Sequence, residues 1–424
     1  MEIKGQKRIY LLFIVLVILL IIGSAVLIFF ATSNSRNNNT DHKADSFINY
    51  KLAFYTREVK SIQESGPADY ETAIYTVNSN GNDLKKIYTE LGNKVIKILS
   101  NDQLAIYDDW INFDSVKIID KNGRLLRQVP LLDNSNYFII SPEGEYYAYS
   151  VWQTTEVLDR SIMTLTVVGQ GTTKEYKAKQ FIEAANSNFS QIIPLGFSSD
   201  SSILYVEVWP TARGGDIIDP YGIFSLDLLT DKKEEIIFSG AKDLSFNFSD
   251  ENFYVISFKL WPKSNRAIMS GGYGLSRDIY EIDLISHNKN LLVDVESING
   301  EASLPTRNNP ISPNEQYLVL DRGVAISQGI DTHDYGFHLY NLKTKELFRD
   351  FYTTGNFAGW VDNTHIAFYD YRHQSWDDQY YTLKILDINT KDIINIYTQI
   401  TDHLEGAGLS QVGDKYYEFI GVIK

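Results

Sequence analysis

Two loops combine histidine with aspartate, the side chains here that are best suited to chemistry. One loop holds Asp331, His333 and Asp334, and the other holds His373, Asp377 and Asp378. Imidazole nitrogens and carboxylate oxygens can bind Zn, Mn or Ca ions, or transfer protons. Neither loop has a recognised metal-ligand spacing, so these residues are weak metal candidates. Ordinary solvent-exposed loop polarity is the alternative interpretation.

A second group consists of tryptophan and arginine, residues that dominate binding hot spots. The candidates are Trp110, Trp152, Trp209, Arg213, Trp261, Arg266 and Trp376. Long segments follow several strand-like runs, at 209–222, 261–278 and 322–336. Such loops are costly to hold at a surface unless they pack together or meet a ligand. We therefore predict a ligand-binding surface, and the alternative is that the tryptophans only fill gaps between packed sheets.

The elements that must position these residues are repeated hairpins, each an apolar strand, a polar turn and a second strand. Seven copies occur, at 73–89, 116–129, 163–178, 221–238, 278–295, 336–353 and 381–398. Their turns contain Gly, Asn, Asp or Lys-Thr, which tolerate a tight reversal. The copies start 43 to 58 residues apart, which is typical of four-stranded propeller blades.

Between the hairpins lies another repeated unit, a short strand, a turn and a strongly apolar strand. The copies are at 97–110, 138–152, 196–209, 246–261, 310–322 and 358–372. Two copies carry the turns Ser141-Pro142-Glu143-Gly144 and Ser312-Pro313-Asn314-Glu315. This unit resembles the TolB-type, WD40-like (PD40) β-propeller repeat, and the resemblance extends over about residues 50–424. Several copies lack the proline, and 358–372 has Val-Asp-Asn instead. The resemblance implies a propeller fold and says little about function.

We predict an all-β fold, a seven-bladed β-propeller, with six or eight blades as alternatives. A ring has no open edge when strands from both chain ends complete one blade. The apolar segments 50–58 and 415–424 suit this closure. In a four-stranded blade the loops between strands B and C lie at one rim, where we place the tryptophans. A row of separate β-sandwiches is the competing architecture.

The apolar run 9–31 predicts a transmembrane helix preceding the propeller. It has no charged residue, and at about 1.5 Å per residue it spans the bilayer hydrocarbon. Lys4, Lys7 and Arg8 precede it, which predicts a cytosolic N-terminus and an extracytoplasmic remainder. The predicted organisation is a cytosolic tip (1–8), the helix (9–31), a flexible stalk (32–46) and the propeller (47–424). A cleaved signal peptide is the alternative.

Charge and composition disfavour or exclude several classes of function. Without the three cationic and one anionic residues of segment 1–8, the 39 cationic and 54 anionic residues become 36 and 53, a net charge of −17. A surface with this negative charge repels the phosphate backbone, so we do not expect the protein to bind nucleic acid. Zero cysteines exclude disulfides and thiolate chemistry, and no G-x-S-x-G, H-E-x-x-H or Walker A motif occurs.

We predict a single-pass cell-membrane protein, not an enzyme, with no catalytic residue and no cofactor. Its propeller would bind or scaffold an extracytoplasmic protein, peptide or glycan ligand. The alternatives are a propeller hydrolase or lyase acting on cell-wall glycan or peptide, and a purely structural spacer of the cell envelope.

Overall fold

The chain is built of antiparallel β-strands. A computed structural model describes residues 50–61, 69–99, 101–108, 113–154, 161–182, 189–211, 221–239, 253–273, 278–295, 302–305, 308–322, 336–352, 355–373, 379–401 and 415–423. Residues Tyr50–Lys424 belong to one compact unit.

The first half of this unit consists of strands β1 to β14. They are β1 (Lys51–Ser61), β2 (Asp69–Asn78), β3 (Lys85–Leu91), β4 (Lys94–Ile98), β5 (Leu104–Asp108), β6 (Phe113–Ile119), β7 (Leu125–Ile140), β8 (Tyr146–Thr154), β9 (Ser161–Gly169), β10 (Thr172–Lys177), β11 (Phe189–Phe197), β12 (Ile203–Thr211), β13 (Tyr221–Asp227) and β14 (Lys233–Ser239). A single turn of 3-10 helix, Ala178–Gln180, follows β10.

The remaining strands continue the same pattern. They are β15 (Phe253–Leu260), β16 (Arg266–Tyr273), β17 (Ile279–Asp283), β18 (Lys289–Val293), β19 (Tyr317–Asp321), β20 (Phe337–Asn341), β21 (Glu346–Tyr352), β22 (Gly355–Trp360), β23 (His365–His373), β24 (Gln379–Asp387), β25 (Ile393–Thr401) and β26 (Lys415–Ile423).

These strands form the seven blades of a β-propeller. Blade 1 has the order β26-β1-β2-β3, blades 4, 5 and 7 are β11–β14, β15–β18 and β22–β25, and blade 6 contains β19–β21. Blades 2 and 3 share one seven-stranded sheet, because β7 pairs with β6 along its first part and with β8 along its last part. The prediction of seven blades is confirmed, and each predicted hairpin forms the two outer strands of one blade.

In the four-stranded blades, strands A to D run from the propeller axis outwards, and β19, β20 and β21 are strands B, C and D of blade 6. The inner strands contact one another between blades, as β26 does with β4 and β22, and β11 with β7 and β15. Because neighbouring strands are antiparallel, A–B and C–D turns share one rim, which we call the A–B rim. B–C loops and D–A connections share the opposite one, the B–C rim.

The A–B turns explain the serine of the repeated motif. Ser141, Ser198 and Ser312 are buried, and their hydroxyls accept the backbone N–H of Tyr146, Ile203 and Tyr317 at 3.0, 2.9 and 2.9 Å. Each side chain thus satisfies a donor at the start of the B strand. This is the local chemistry that the Ser-Pro or Ser-Asp turn signals in the sequence.

The ring is closed by the two ends of the propeller chain. Strand β26 pairs with β1, from Lys51 opposite Ile423 to Glu58 opposite Lys415. A C-terminal strand therefore supplies the inner strand of a blade whose other three strands are N-terminal. The predicted pairing of 50–58 with 415–424 is confirmed, and it gives β1 a hydrogen-bonded neighbour on each side, β26 and β2.

Apolar layers between adjacent blades form the core. One layer joins blades 1 and 2 through Ala53, Ile74, Ile96 and Leu104, and comparable layers join the successive pairs up to blades 6 and 7. Between blades 7 and 1, the Phe54 ring lies 4.9 Å from that of Tyr397. Each blade is therefore buried on both faces, which explains the nearly continuous apolar runs of the B strands.

The inner edge of blade 6 is irregular. Two isolated bridges, Ser303 with Asp321 and Ile311 with Leu318, replace a regular inner strand. Between them, the amide of Asn309 donates to the carbonyl of Leu260 at 2.7 Å and the amide of Asn308 donates to the carbonyl of Ala358. This segment thus connects blade 6 with the inner strands of blades 5 and 7.

The sequence interpretation of blade 5 is wrong by one strand. Residues 253–260 were expected to be strand B and 261–278 a B–C loop, but 253–260 form the inner strand β15 and 266–273 form strand B. The pair Gly271-Gly272 made β16 resemble a loop in the sequence. Its backbone nevertheless pairs with β15 through Gly271 and Gly272, opposite Val255 and Tyr254.

The predicted transmembrane segment lies outside the described residues, as do the tip 1–8 and the stalk 32–46. Within the described ranges, no helix has the length and apolar character needed to cross a bilayer.

Candidate functional site

The predicted tryptophans divide between the two rims. Trp152 and Trp209 lie near the ends of the B strands β8 and β12, at the B–C rim. Trp152 is partly buried against the apolar layer between blades 3 and 4, and only the backbone position of Trp209 is described. Trp110, Arg213 and Trp376 lie outside the described residues. A ligand-binding role for these residues stays a prediction.

Trp261 and Arg266 are at the A–B rim, not at the B–C rim where the sequence placed them. They flank the turn between β15 and β16, and Trp261 is only 5% exposed, in the layer between blades 5 and 6. The Arg266 guanidinium lies 3.8 Å from the centre of the Trp261 ring. Arg266 also pairs with Glu281 at 2.7 Å. These contacts join neighbouring strands and blades, so this pair stabilises the propeller.

Most of the histidine and aspartate candidates lie outside the residues that the structure describes. Asp331, His333, Asp334, Asp377 and Asp378 lie outside the described residues, and only the backbone of His373, the last residue of β23, is placed. Within the described ranges, no group of three or more His, Cys, Asp or Glu side chains is arranged to hold a metal ion. The proposed metal site therefore stays a prediction.

A polar cavity of about 220 Å³ opens at the B–C rim between blades 1 and 2. Its walls are Glu90, Lys94, Ile106, Tyr107, Asp108, Ser115, Lys117 and Gln128. Glu90 is near the end of β3 in blade 1, whereas the other residues lie on the four strands of blade 2. The cavity is thus a gap between two blades, and strand ends at the rim supply its charged groups.

Four side chains form a chain of alternating charge along this cavity. Lys117 Nζ lies 2.6 Å from Glu90 Oε1, Lys94 Nζ lies 3.5 Å from the same oxygen, and Lys94 Nζ donates to Asp108 Oδ1 at 2.6 Å. The Tyr88 hydroxyl donates to Glu90 Oε2 at 2.7 Å. Burial alone would raise the pKa of Glu90, but these hydrogen bonds and the two lysine charges lower it below its ordinary value.

A hydrogen-bonded path connects this cavity with the closed ring. The Arg57 guanidinium donates to the carbonyl of Lys94 at 2.8 Å and to the Tyr55 hydroxyl at 3.0 Å. The Tyr55 hydroxyl donates to Glu418 Oε2 at 2.6 Å. The strand that carries Lys94 is therefore held in place by residues from both chain ends.

A second group at the B–C rim lies between blades 6 and 7. Val319 and Phe337 belong to the apolar layer that also contains Ile366 and Phe368. Alternation along a strand places Asp321 on the Val319 face and Asp370 on the Phe368 face. Both carboxylates therefore point into the layer between the two blades.

The two carboxylates differ in their partners. Asp370 is 3% exposed and forms an ion pair with Lys384. The Oδ1 atom of Asp321 is enclosed and has no hydrogen-bond partner among the described residues. Burial raises the pKa of Asp321 to about 7. Such a perturbed carboxylate is a candidate for proton transfer.

The sequence analysis did not identify Asp321 and Asp370 as candidate site residues. It also did not identify Lys94 and Lys117, the lysines of the cavity. The only signal was position, since Asp321 directly precedes the 322–336 loop that carries Asp331 and His333, and Asp108 directly precedes Asp109 and Trp110. Burial and pairing depend on contacts between blades, which a strand pattern does not contain.

Comparisons with known proteins agree on the fold class. No protein-family model and no curated protein sequence matches the chain. Among similar solved structures, the acylaminoacyl peptidase of Pyrococcus horikoshii has a TM-score of 0.51 at 12% identity, over 84% of this chain and 53% of that one. Prolyl oligopeptidase B of Galerina marginata has a TM-score of 0.49 at 12% identity, over 84% of this chain and 52% of that one.

TolB of Acinetobacter baumannii has a TM-score of 0.38 at 12% identity, over 87% of this chain and 83% of that one. The chain spans about half the length of the two peptidases. At 12% identity the similarity to the acylaminoacyl peptidase shows the fold alone. The chain is a seven-bladed β-propeller protein.

Proposed function

We infer that this propeller is a binding module that recognises a protein, peptide or cell-envelope ligand through its B–C rim. The observation that carries this proposal is the polar cavity between blades 1 and 2, which opens at that rim. Specific sites combine a recess with a few convergent polar groups, and this cavity offers both donors and acceptors.

The lengths of the connections support the same rim. B–C connections run from Thr211 to Tyr221 in blade 4 and from Asp321 to Phe337 in blade 6, whereas the A–B turn of blade 3 runs only from Ile140 to Tyr146. Long connections on a rigid scaffold are where binding residues concentrate. The proposal places the module outside the cell, attached through the apolar run 9–31, with the N-terminus in the cytosol.

Site-specific photo-cross-linking tests this function. The photoreactive residue p-benzoylphenylalanine replaces Gln128 at the cavity or, as a matched control, Leu229 in a C–D turn at the opposite rim. Irradiation of membranes containing the full chain should give a discrete adduct from position 128 only. Identical adducts from both positions, or none from position 128, would contradict binding at this rim. Extraction of the same membranes with alkaline carbonate tests the anchor separately, since an integral protein stays in the pellet.

A second function, hydrolysis or lyase chemistry on cell-wall glycan or peptide, is favoured by one observation, the enclosed Oδ1 atom of Asp321, which has no hydrogen-bond partner among the described residues. A carboxyl group that titrates near 7 suits general acid–base catalysis. Turnover of cell-wall glycan or peptide that is lost in Asp321→Asn and kept in Asp83→Asn would support this role. Turnover retained by Asp321→Asn would remove Asp321 from the mechanism.

A further inference from the structure

The alternating charges of the cavity end in an exposed carboxylate. Glu90 and Lys94 each have two partners within the series, and they are the two inner members. Asp108, the last residue of β5, has the most exposed side chain of the four, at 39%. The more exposed end of the series is therefore anionic, since the side chain of Lys117 at the other end is 29% exposed.

Among the described residues, only one oxygen of this carboxylate has a hydrogen-bond donor. Lys94 occupies Oδ1, and among the described residues no donor bonds to Oδ2. A free carboxylate oxygen beside a recess is suited to an ammonium or guanidinium group, which forms short charge-assisted hydrogen bonds with it.

The rest of the cavity suits an extended side chain. Ile106 contributes an aliphatic wall, Tyr107 contributes part of another, and Gln128 and Ser115 lie further out, where the Gln128 amide donates to the Ser115 hydroxyl at 2.8 Å. A volume of about 220 Å³ admits one long side chain and excludes a folded element. Lysine and arginine combine an apolar stem with a charged head, which matches this lining.

We propose that the cavity binds a lysine or arginine side chain of a basic peptide or protein segment. This proposal rests on the proposed function, since it names the ligand class of the same rim. The cationic head lies on Asp108 Oδ2, and the methylene stem lies against Ile106. The net charge of −15 would speed the approach of such a segment. An anionic ligand fits less well, because both lysines of the cavity already pair with carboxylates and the chain as a whole repels negative charge.

Binding of small probes to the full chain in lipid nanodiscs tests this assignment. The probe is Nα-acetyl-lysine methylamide, and Nα-acetyl-norleucine methylamide is the matched probe without the charge. Saturation-transfer NMR should show saturable binding of the lysine probe only. Binding should weaken by about tenfold or more in Asp108→Asn, since the charge-assisted bond is lost.

Two further variants keep the result interpretable. Asp83→Asn removes an exposed charge in the C–D turn of blade 1, at the opposite rim, and should bind the lysine probe like the unmodified chain. Asp108→Glu retains the charge and should retain binding, so a loss in Asp108→Asn alone is not explained by misfolding. Equal binding of the two probes, or unchanged affinity in Asp108→Asn, would overturn the proposal.

The outcomes also separate this proposal from the proposed function. A cross-linked adduct from position 128 without lysine binding would leave the binding module in place and refute a cationic ligand. The absence of both would refute the two proposals together. Lysine binding that Asp108→Asn abolishes would support both.

Discussion

The Tyr55 hydroxyl donates a 2.6 Å hydrogen bond to Glu418 Oε2, joining residues 363 positions apart. Tyr55 lies in β1 and Glu418 in β26, so this bond fastens the two strands that close the ring. Burial of the ring, together with the charge of Glu418, raises the pKa of Tyr55, which keeps the hydroxyl protonated as the donor.

Tyr55→Phe should destabilise the closed ring. The change removes a hydrogen bond to a charged acceptor, which contributes about 1.5–3 kcal/mol, and it leaves the ring packing intact. The free energy of unfolding in urea measures the loss. Tyr137→Phe removes a hydroxyl from a half-exposed tyrosine and should change it by less than about 0.5 kcal/mol. Equal values for both variants would show that the Tyr55 bond contributes nothing to closure.

Glu90→Gln should weaken the contact between blades 1 and 2 in a pH-dependent way. The pKa of Glu90 is lowered in the folded state, so its contribution is present above the unfolded pKa and is lost as the pH falls through the folded pKa. We expect a loss of about 1–3 kcal/mol at pH 7 and little difference from the unmodified chain in strong acid. Urea midpoints across an acid-to-neutral series measure this, and a constant difference at every pH would contradict it.

Asp321→Asn should stabilise the protein at alkaline pH. With a folded pKa of about 7 against an ordinary value of 3.8, the folded state holds a proton that the unfolded state releases. Stability therefore falls as the pH rises from about 4 to 7, by at most about 4 kcal/mol. In Asp321→Asn the free energy of unfolding should not fall in this way. Denaturant unfolding of the variant and the unmodified chain at pH 5 and pH 8 measures the difference. Lower stability of the variant at pH 8 would instead indicate that the ionised carboxylate has a cationic partner.

His365→Asn should destabilise blade 7 mainly at acidic pH. The imidazole lies 2.8 Å from Asp362 and 3.6 Å from Asp387. Burial lowers the pKa of His365, but the hydrogen bond and charge of Asp362 and the charge of Asp387 outweigh it and raise the pKa. The stabilisation is therefore complete below about 6.5 and disappears as the pH rises through the folded pKa.

We expect a loss of about 1 kcal/mol at pH 5.5 in His365→Asn. The difference from the unmodified chain should nearly vanish at pH 8.5. Thermal unfolding at the two pH values provides the measurement, and a larger loss at pH 8.5 would contradict the charged state of the ring.

The hairpins were predictable because their chemistry is local. Asp227 illustrates this, since its side chain accepts the backbone N–H groups of Leu229 and Thr230 at 2.9 and 2.8 Å, a turn readable from neighbouring residues alone. Blade 5 was misread because Gly271 and Gly272 in β16 imitate a loop, which moved Trp261 to the wrong rim.

The candidate site was less predictable for a different reason. Lys94 and Asp108 are opposite one another only through the pairing of β4 with β5, and Glu90 reaches them from another blade. The enclosure of Asp321 depends on its position between two blades. Each property arises from contacts between distant segments, and no spacing along the chain encodes it.

The late position of β26 in the chain affects the order of events during synthesis. On a ribosome, blades 2 to 7 can acquire all of their strands while blade 1 still lacks its innermost one, and β1 pairs only with β2 until residues 415–423 emerge. A nascent chain that stalls or terminates earlier would carry a bare strand able to recruit another molecule, so incomplete products should be marked for aggregation or degradation.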